Sequence, residues 1–394
     1  MPVGNASRFS RRSFLQLSAA AATVQLVSEP ILAAAARRQP APKDAVVIDS
    51  NENPLGPCQA ARDAISAIVP QGGRYSVNLT DDLVETFSQQ EGLKPDHVHV
   101  FAGSTPALRF GVIAFTSPQR SFVVADPGYE GGAFAAEDAK ARVVKVPLTK
   151  TYAHDVKAML AAAPNAGLFY VCTPNNPTGT VTPHEDIEYL VKNKPKGSVV
   201  MVDEAYIHFC DAPSTLDLVK AGEDVIVLRT FSKAYGMAGL RCGLAVARPD
   251  LLEKMLDRSG WNFMPVTAVT AATASLKDSS LVSERRRINS GVRQATFEWL
   301  GRNGYSYIPS QANFFLLNAK RPAKELIAAM AKQNVLIGRV WPIMPTYSRI
   351  TVGTQEEMER FQSALQTVMR GANAFLLPAT KPQRARRASD PLPS

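Results

Sequence analysis

Lys233 stands in the segment Arg229-Thr-Phe-Ser-Lys-Ala-Tyr-Gly-Met-Ala-Gly-Leu-Arg241, directly after the apolar run at 225–228. An amine at the end of a buried-looking strand, next to the Ser232 hydroxyl and upstream of the Arg241 guanidinium, suits covalent chemistry beside a phosphate. The cofactor that matches is pyridoxal phosphate, whose aldehyde a lysine captures as a Schiff base while the protein tunes the ring and holds the phosphate. That chemistry also requires a carboxylate for the ring nitrogen, donors for the phenolic oxygen, a stacking surface and an anion cup.

Candidates for each part follow apolar runs. After residue 101, Ala102-Gly103-Ser104-Thr105-Pro106 places Thr105 where it can cap a helix, with Pro106 in the first turn. Free N–H groups at such a helix end bind phosphate, and the same pattern also makes an ordinary strand-to-helix turn. Ser232 and Arg241 offer a hydroxyl and a planar guanidinium to the same dianion. Asp203 follows the run ending at Val202 and reads either as a helix cap or as the partner that keeps a pyridine nitrogen protonated. Asn176, in Cys-Thr-Pro-Asn-Asn-Pro-Thr-Gly179, and Tyr206 are suited to hydrogen-bond a phenolic oxygen. Tyr129, in Asp126-Pro-Gly-Tyr129, reads equally as a stacking ring or a surface-turn tyrosine.

Taken together, the motifs resemble a fold-type-I pyridoxal-phosphate enzyme of the class I/II aminotransferases, on the histidinol-phosphate aminotransferase branch. The resemblance runs from about Ile48 to Leu365 and is carried by Asn51-Glu-Asn-Pro54, Arg74-Tyr75, Gly103-Ser-Thr-Pro106, Tyr129, Asn175-Asn-Pro-Thr-Gly179, Asp203-Glu-Ala-Tyr206, Thr230-Phe-Ser-Lys233, Gly239-Leu-Arg241 and Arg349-Ile-Thr-Val-Gly353. It implies Lys233 as the Schiff-base lysine, Asp203 at the ring nitrogen, Asn176 and Tyr206 at the phenolic oxygen, and Tyr129 stacked on the ring. Gly103, Ser104, Thr105, Ser232 and Arg241 then hold the phosphate, and Tyr75 reaches the phosphate of a partner subunit, which implies a homodimer. Arg349 becomes the clamp for a substrate α-carboxylate, with Asn53 and Asn176 as further substrate contacts. The stretch Ile337-Gly-Arg-Val-Trp-Pro-Ile-Met-Pro-Thr-Tyr347 is where the family's second substrate arginine belongs. It looks shortened, and Arg339 is the candidate substitute, while Trp341 and Tyr347 read as pocket lining or as a packed loop. The implied reaction moves an amino group between a small-molecule donor, an amino acid or amino-alcohol phosphate, and a 2-oxo acid. A lyase or decarboxylase using the same cofactor residues is the alternative, followed by a non-catalytic binding protein.

The elements that must position these residues alternate. Segments 97–101, 121–125, 141–146, 167–171, 198–202, 225–228 and 243–246 read as strands, several continuously apolar, and 106–115, 153–162 and 185–192 as helices between them. Such a pattern indicates a mainly parallel, seven-stranded α/β sheet covered on both faces, with ligands at the strands' carboxyl ends. A smaller α+β C-terminal domain follows, with strands at 312–317, 335–337 and 350–352, a helix at 322–333, and a capping box from Thr354 to Glu357. The expected division is 1–36 signal, 37–74 N-terminal segment, 75–262 large domain, 263–374 small domain and 375–394 basic tail.

The ends account for part of the net charge of +9. Arg11 and Arg12 before Phe14-Leu15, with an Ala-rich stretch ending at Ala36, resemble a twin-arginine export signal, the alternative being an amphipathic or disordered extension. The reading implies contact with the twin-arginine translocation machinery, a periplasmic address in the mature form, and cytoplasmic residence if the signal is unused. The tail holds Lys381, Arg384, Arg386 and Arg387. Without an aromatic-interleaved basic stripe or a recognisable nucleic-acid module, the charge argues little for nucleic acid, and none is expected as a partner. No stretch is apolar and long enough to anchor in a bilayer. Cys58, Cys172, Cys210 and Cys242 lack paired spacing and nearby histidines, so no metal is expected and buried free thiols are the simpler reading.

Overall fold

The computed structural model describes residues 41–260 and 263–374, so the proposed signal and basic tail lie outside the described residues. Residues 41–45 form a turn, in which the Ala45 N–H donates to Pro42 O at 2.9 Å. From Val46 onward the strands are β1 (Val46–Ile48), β2 (Val98–Phe101), β3 (Ser121–Asp126), β4 (Val143–Pro147), β5 (Ala166–Cys172), β6 (Val199–Asp203), β7 (Val225–Thr230), β8 (Gly243–Ala247), β9 (Ser306–Ile308), β10 (Phe314–Asn318), β11 (Val335–Ile337) and β12 (Tyr347–Thr351).

Seven of them make one sheet in the order β2-β8-β7-β6-β5-β3-β4. Only β8 runs antiparallel to its neighbours. Its alternating side chains feed two cores. Val200, Val202, Val225 and Val227 point to one face, and Val199, Met201, Ile226 and Leu228 to the other. With both faces buried, the central strands can be apolar throughout. The carboxyl ends of β5, β6 and β7 then emerge side by side, with Cys172 paired to Asp203 and Asp203 to Leu228, which delivers Asn176, Asp203 and Lys233 to one sheet edge.

A third core lies under the antiparallel sheet β12-β10-β9, where Phe315, Ile350 and Phe361 are fully buried. Strand β1 pairs in parallel with β11, setting Ile48 opposite Ile337. The capping box forms: the Thr354 N–H donates to Glu357 Oε2 at 2.7 Å and the Glu357 N–H to Thr354 Oγ1 at 3.2 Å. Among the described residues no helix is long and apolar enough to cross a membrane. All four cysteines are buried and free.

One local expectation is corrected. Thr105 does not cap the helix after β2; the helix is Ser104–Phe115, Gly103 is its cap, and no side chain caps it. Gly103 has φ 91° and ψ 166°, a region essentially confined to glycine, so the chain turns two residues earlier than a Thr105 cap would place it. Ser104, Thr105 and Pro106 all fall in the first turn.

Candidate active site

The Gly103 turn leaves room for one side chain. A Cβ on Gly103 would strike the end of the Arg241 guanidinium, with Arg241 Cζ 2.8 Å away. A Cβ on Gly243 would lie 2.5 Å from Ser104 N. Arg241, itself in the left-handed region at φ 60°, donates through Nη1 to Ser232 Oγ at 3.2 Å and Ala238 O at 2.9 Å, and through Nη2 to Ala102 O at 3.2 Å. Two glycines therefore let a helix N-terminus, a hydroxyl and a guanidinium close on one point, the chemistry of an anion cup.

Asp203 lies at the end of β6, 5% exposed. Its Oδ2 accepts from the Tyr170 hydroxyl at 2.7 Å and its Oδ1 from the Ala205 N–H at 3.0 Å. Burial pushes its pKa up, and the two hydrogen bonds and the Lys233 charge push it back. A buried carboxylate with spare lone pairs fits a cationic ring nitrogen. Sequence reasoning missed Tyr170, which reads there only as part of an apolar strand.

Lys233 Nζ sits 3.5 Å from Ser50 O and 5.7 Å from the Tyr206 ring centroid. Desolvation first, then the Arg349 charge, lowers its pKa to about 8. The buried Tyr206 hydroxyl accepts from Asn51 Nδ2 at 3.1 Å, which leaves its own O–H to donate. Burial raises the Tyr206 pKa, keeping it a neutral donor. Asn176 Oδ1 accepts from Arg349 Nη1 at 2.8 Å, which leaves the Asn176 amide nitrogen to donate.

Arg349, on β12, is 4% exposed. Its Nη2 donates to Asp49 O at 2.9 Å, and its Nε has no partner among the described residues. Burial lowers its pKa to about 10. A desolvated guanidinium with an unused N–H is prepared for a carboxylate. Tyr129 belongs to a turn tied to this corner: Asn175 Nδ2 donates to Pro127 O at 3.3 Å and Trp341 Nε1 to Gly128 O at 3.0 Å.

Three expected residues stand apart. Asn53 spends its side chain locally, donating to Ala234 O at 3.0 Å and accepting from the Leu55 N–H at 3.1 Å, so it braces the lysine loop. Arg339 is engaged by Glu130, with Nη2 2.6 Å from Oε1. Tyr75 is 75% exposed and stacks on Phe263 at 4.7 Å, lining a separate cavity with Val77 and His99.

A covered parallel sheet with a lysine, a carboxylate and an anion cup at its carboxyl edge defines a pyridoxal-phosphate enzyme of fold type I. The chain belongs to the family aminotransferase class I and II, which residues 43–365 match. A histidinol-phosphate aminotransferase of Moorella thermoacetica is 35% identical over 341 residues, covering 83% of this chain and 86% of that protein. An aromatic amino acid aminotransferase of Cutibacterium acnes is 32% identical over 334 residues, covering 84% and 94%. The crystal structure of a histidinol-phosphate aminotransferase from Sinorhizobium meliloti, in complex with pyridoxal-5'-phosphate, matches with TM-score 0.74 at 25% identity, covering 83% of this chain and 92% of that one. The protein is a pyridoxal-phosphate-dependent aminotransferase, and its site residues fit that cofactor.

Proposed function

We propose that the enzyme moves an amino group between an aromatic amino acid or a histidinol-phosphate-like amino-alcohol phosphate and a 2-oxo acid, with Lys233 as covalent anchor and proton carrier. The observation that carries this reading is the set Asp203, Lys233 and Arg349: a buried carboxylate at the end of β6, a half-buried amine just past β7 with its pKa lowered to about 8, and a buried guanidinium on β12.

When bound, pyridoxal phosphate supplies an electrophilic carbon and an electron-accepting ring. Gly103, Ser104, Thr105, Ser232 and Arg241 hold its phosphate, Asp203 its ring nitrogen, Asn176 and Tyr206 its phenolic oxygen, and Tyr129 covers its face. Arg349 receives the α-carboxylate of an amino-acid donor, or the phosphate of an amino-alcohol phosphate, and orients the α-carbon. Lys233, half-buried and shifted to about 8, is neutral often enough near neutral pH for Nζ to take the α-proton.

In a single-turnover assay, each amino donor should consume the bound-cofactor absorbance and release its keto product without ammonia or carbon dioxide. Lys233→Ala should abolish that turnover. Release of ammonia or carbon dioxide, or wild-type turnover by Lys233→Ala, counts against the reading.

We also propose a homodimer in which Tyr75 completes the partner's phosphate cup, supported by the exposed Tyr75–Phe263 stack beside exposed Val77. Light scattering showing an active monomer would contradict it. Export by the twin-arginine route to the periplasm rests on Arg11 and Arg12 and the Ala-rich stretch after them.

A further inference from the structure

Three charged side chains meet around one indole. Trp341 is 2% exposed and fixed by its bond to Gly128 O. The Arg349 guanidinium lies 5.5 Å from its ring centroid and the Arg339 guanidinium 4.8 Å. The Arg349 N–H donates to Arg339 O at 3.2 Å, so the two arginines sit opposite each other across the backbone. Glu130, the residue after Tyr129, reaches in from the large sheet and takes Arg339 Nη2 at 2.6 Å.

We infer that Glu130 is a specificity-determining residue: it occupies Arg339, leaves one net positive charge beside Trp341, and so selects amino acids with a single α-carboxylate and a neutral side chain over dicarboxylic donors. This rests on Arg349 as the α-carboxylate clamp. The geometry supports it in two ways. A donor carrying a second negative charge must either displace Glu130 from Arg339 or lie near an uncompensated carboxylate, and like charges at close range are disfavoured in a partly desolvated pocket. A neutral side chain brings no charge to the Glu130–Arg339 pair and needs no displacement. With the pair 44% and 31% exposed, its contribution to stability is small, so the consequence of Glu130 lies in selection rather than folding.

Single-turnover rates of the cofactor-loaded enzyme with L-phenylalanine and L-glutamate test this. The wild type should favour phenylalanine. Glu130→Gln frees Arg339 and should shift the ratio of kcat/KM for glutamate to that for phenylalanine upward by about tenfold. Arg339→Gln leaves Glu130 unpaired and should move the ratio the opposite way. Glu137→Gln, on the exposed helix that follows, is the charge-matched control and should leave it unmoved. A wild type that prefers glutamate, or a ratio unchanged in Glu130→Gln, overturns the inference while leaving the aminotransferase reading intact. If no donor consumes the absorbance, it is the clamp reading itself that fails.

Discussion

Gly103→Ala separates strain from anion binding within one residue. The native φ of 91° and ψ of 166° is a glycine region, where another residue costs about 1–3 kcal/mol. In a chain of this size, with about 2.1 cal/mol/K of unfolding entropy per residue, each kcal/mol lowers Tm by about 1–2 °C. The new methyl also meets Arg241 Cζ at 2.8 Å, where carbon atoms rest at about 3.5–4.0 Å, so the guanidinium must retreat by about 1 Å. That retreat breaks its 3.2 Å bonds to Ala102 O and Ser232 Oγ and removes it from the cup. Hydrogen bonds to charged groups are worth about 1.5–3 kcal/mol, so losing one from the phosphate should weaken binding about tenfold or more. The assay is fluorescence titration of the cofactor-free protein with pyridoxal phosphate and with inorganic phosphate, beside thermal melting. Arg241→Gln keeps the glycine and should weaken both ligands without the strain component of the Tm loss. If Gly103→Ala lowers Tm but leaves both affinities unchanged, the glycine shapes only the turn and the cup argument is wrong.

Lys233 should make the cofactor-free protein more stable as pH rises. Its pKa falls from 10.5 unfolded to about 8 folded, so between those values the unfolded chain binds the extra proton and stability climbs through that window. Urea midpoints should rise from pH 7.5 to 10 more in the wild type than in Lys233→Met, and equal slopes would refute the shift. Tyr170→Phe removes a 2.7 Å donor from the buried Asp203 carboxylate and should weaken pyridoxal phosphate about tenfold while sparing inorganic phosphate, since hydrogen bonds to charges are worth about 1.5–3 kcal/mol. Unchanged cofactor affinity in that variant would mean Tyr170 does not support Asp203.

The large sheet was legible because each central strand is buried on both faces and therefore apolar without alternation, and the residues just past each strand were legible because a parallel sheet gathers them. Where the reading fell short, the missing information was spatial. Nothing local marks Gly103 rather than Thr105 as the helix cap, since the choice depends on how close Arg241 approaches. Tyr170 hides in an apolar run because its hydroxyl partner is on the next strand. Asn51 carries no signal for its bond to Tyr206, 155 residues away. Glu130 and Arg339, 209 residues apart, are ordinary surface charges until β12 and the turn after β3 bring them together.

The pairing of β1 with β11 orders the making of the site. A chain leaving the ribosome completes the phosphate cup once Arg241 and Gly243 can fold against Gly103. Arg349 lies far downstream, and its anchors Asp49 and Asn176, synthesised much earlier, wait for it. Asn51 likewise waits for Thr351, which accepts its N–H at 2.9 Å. The residues of the anion cup are therefore all synthesised before the carboxylate clamp, and the clamp ties the last strand of the chain back to its beginning.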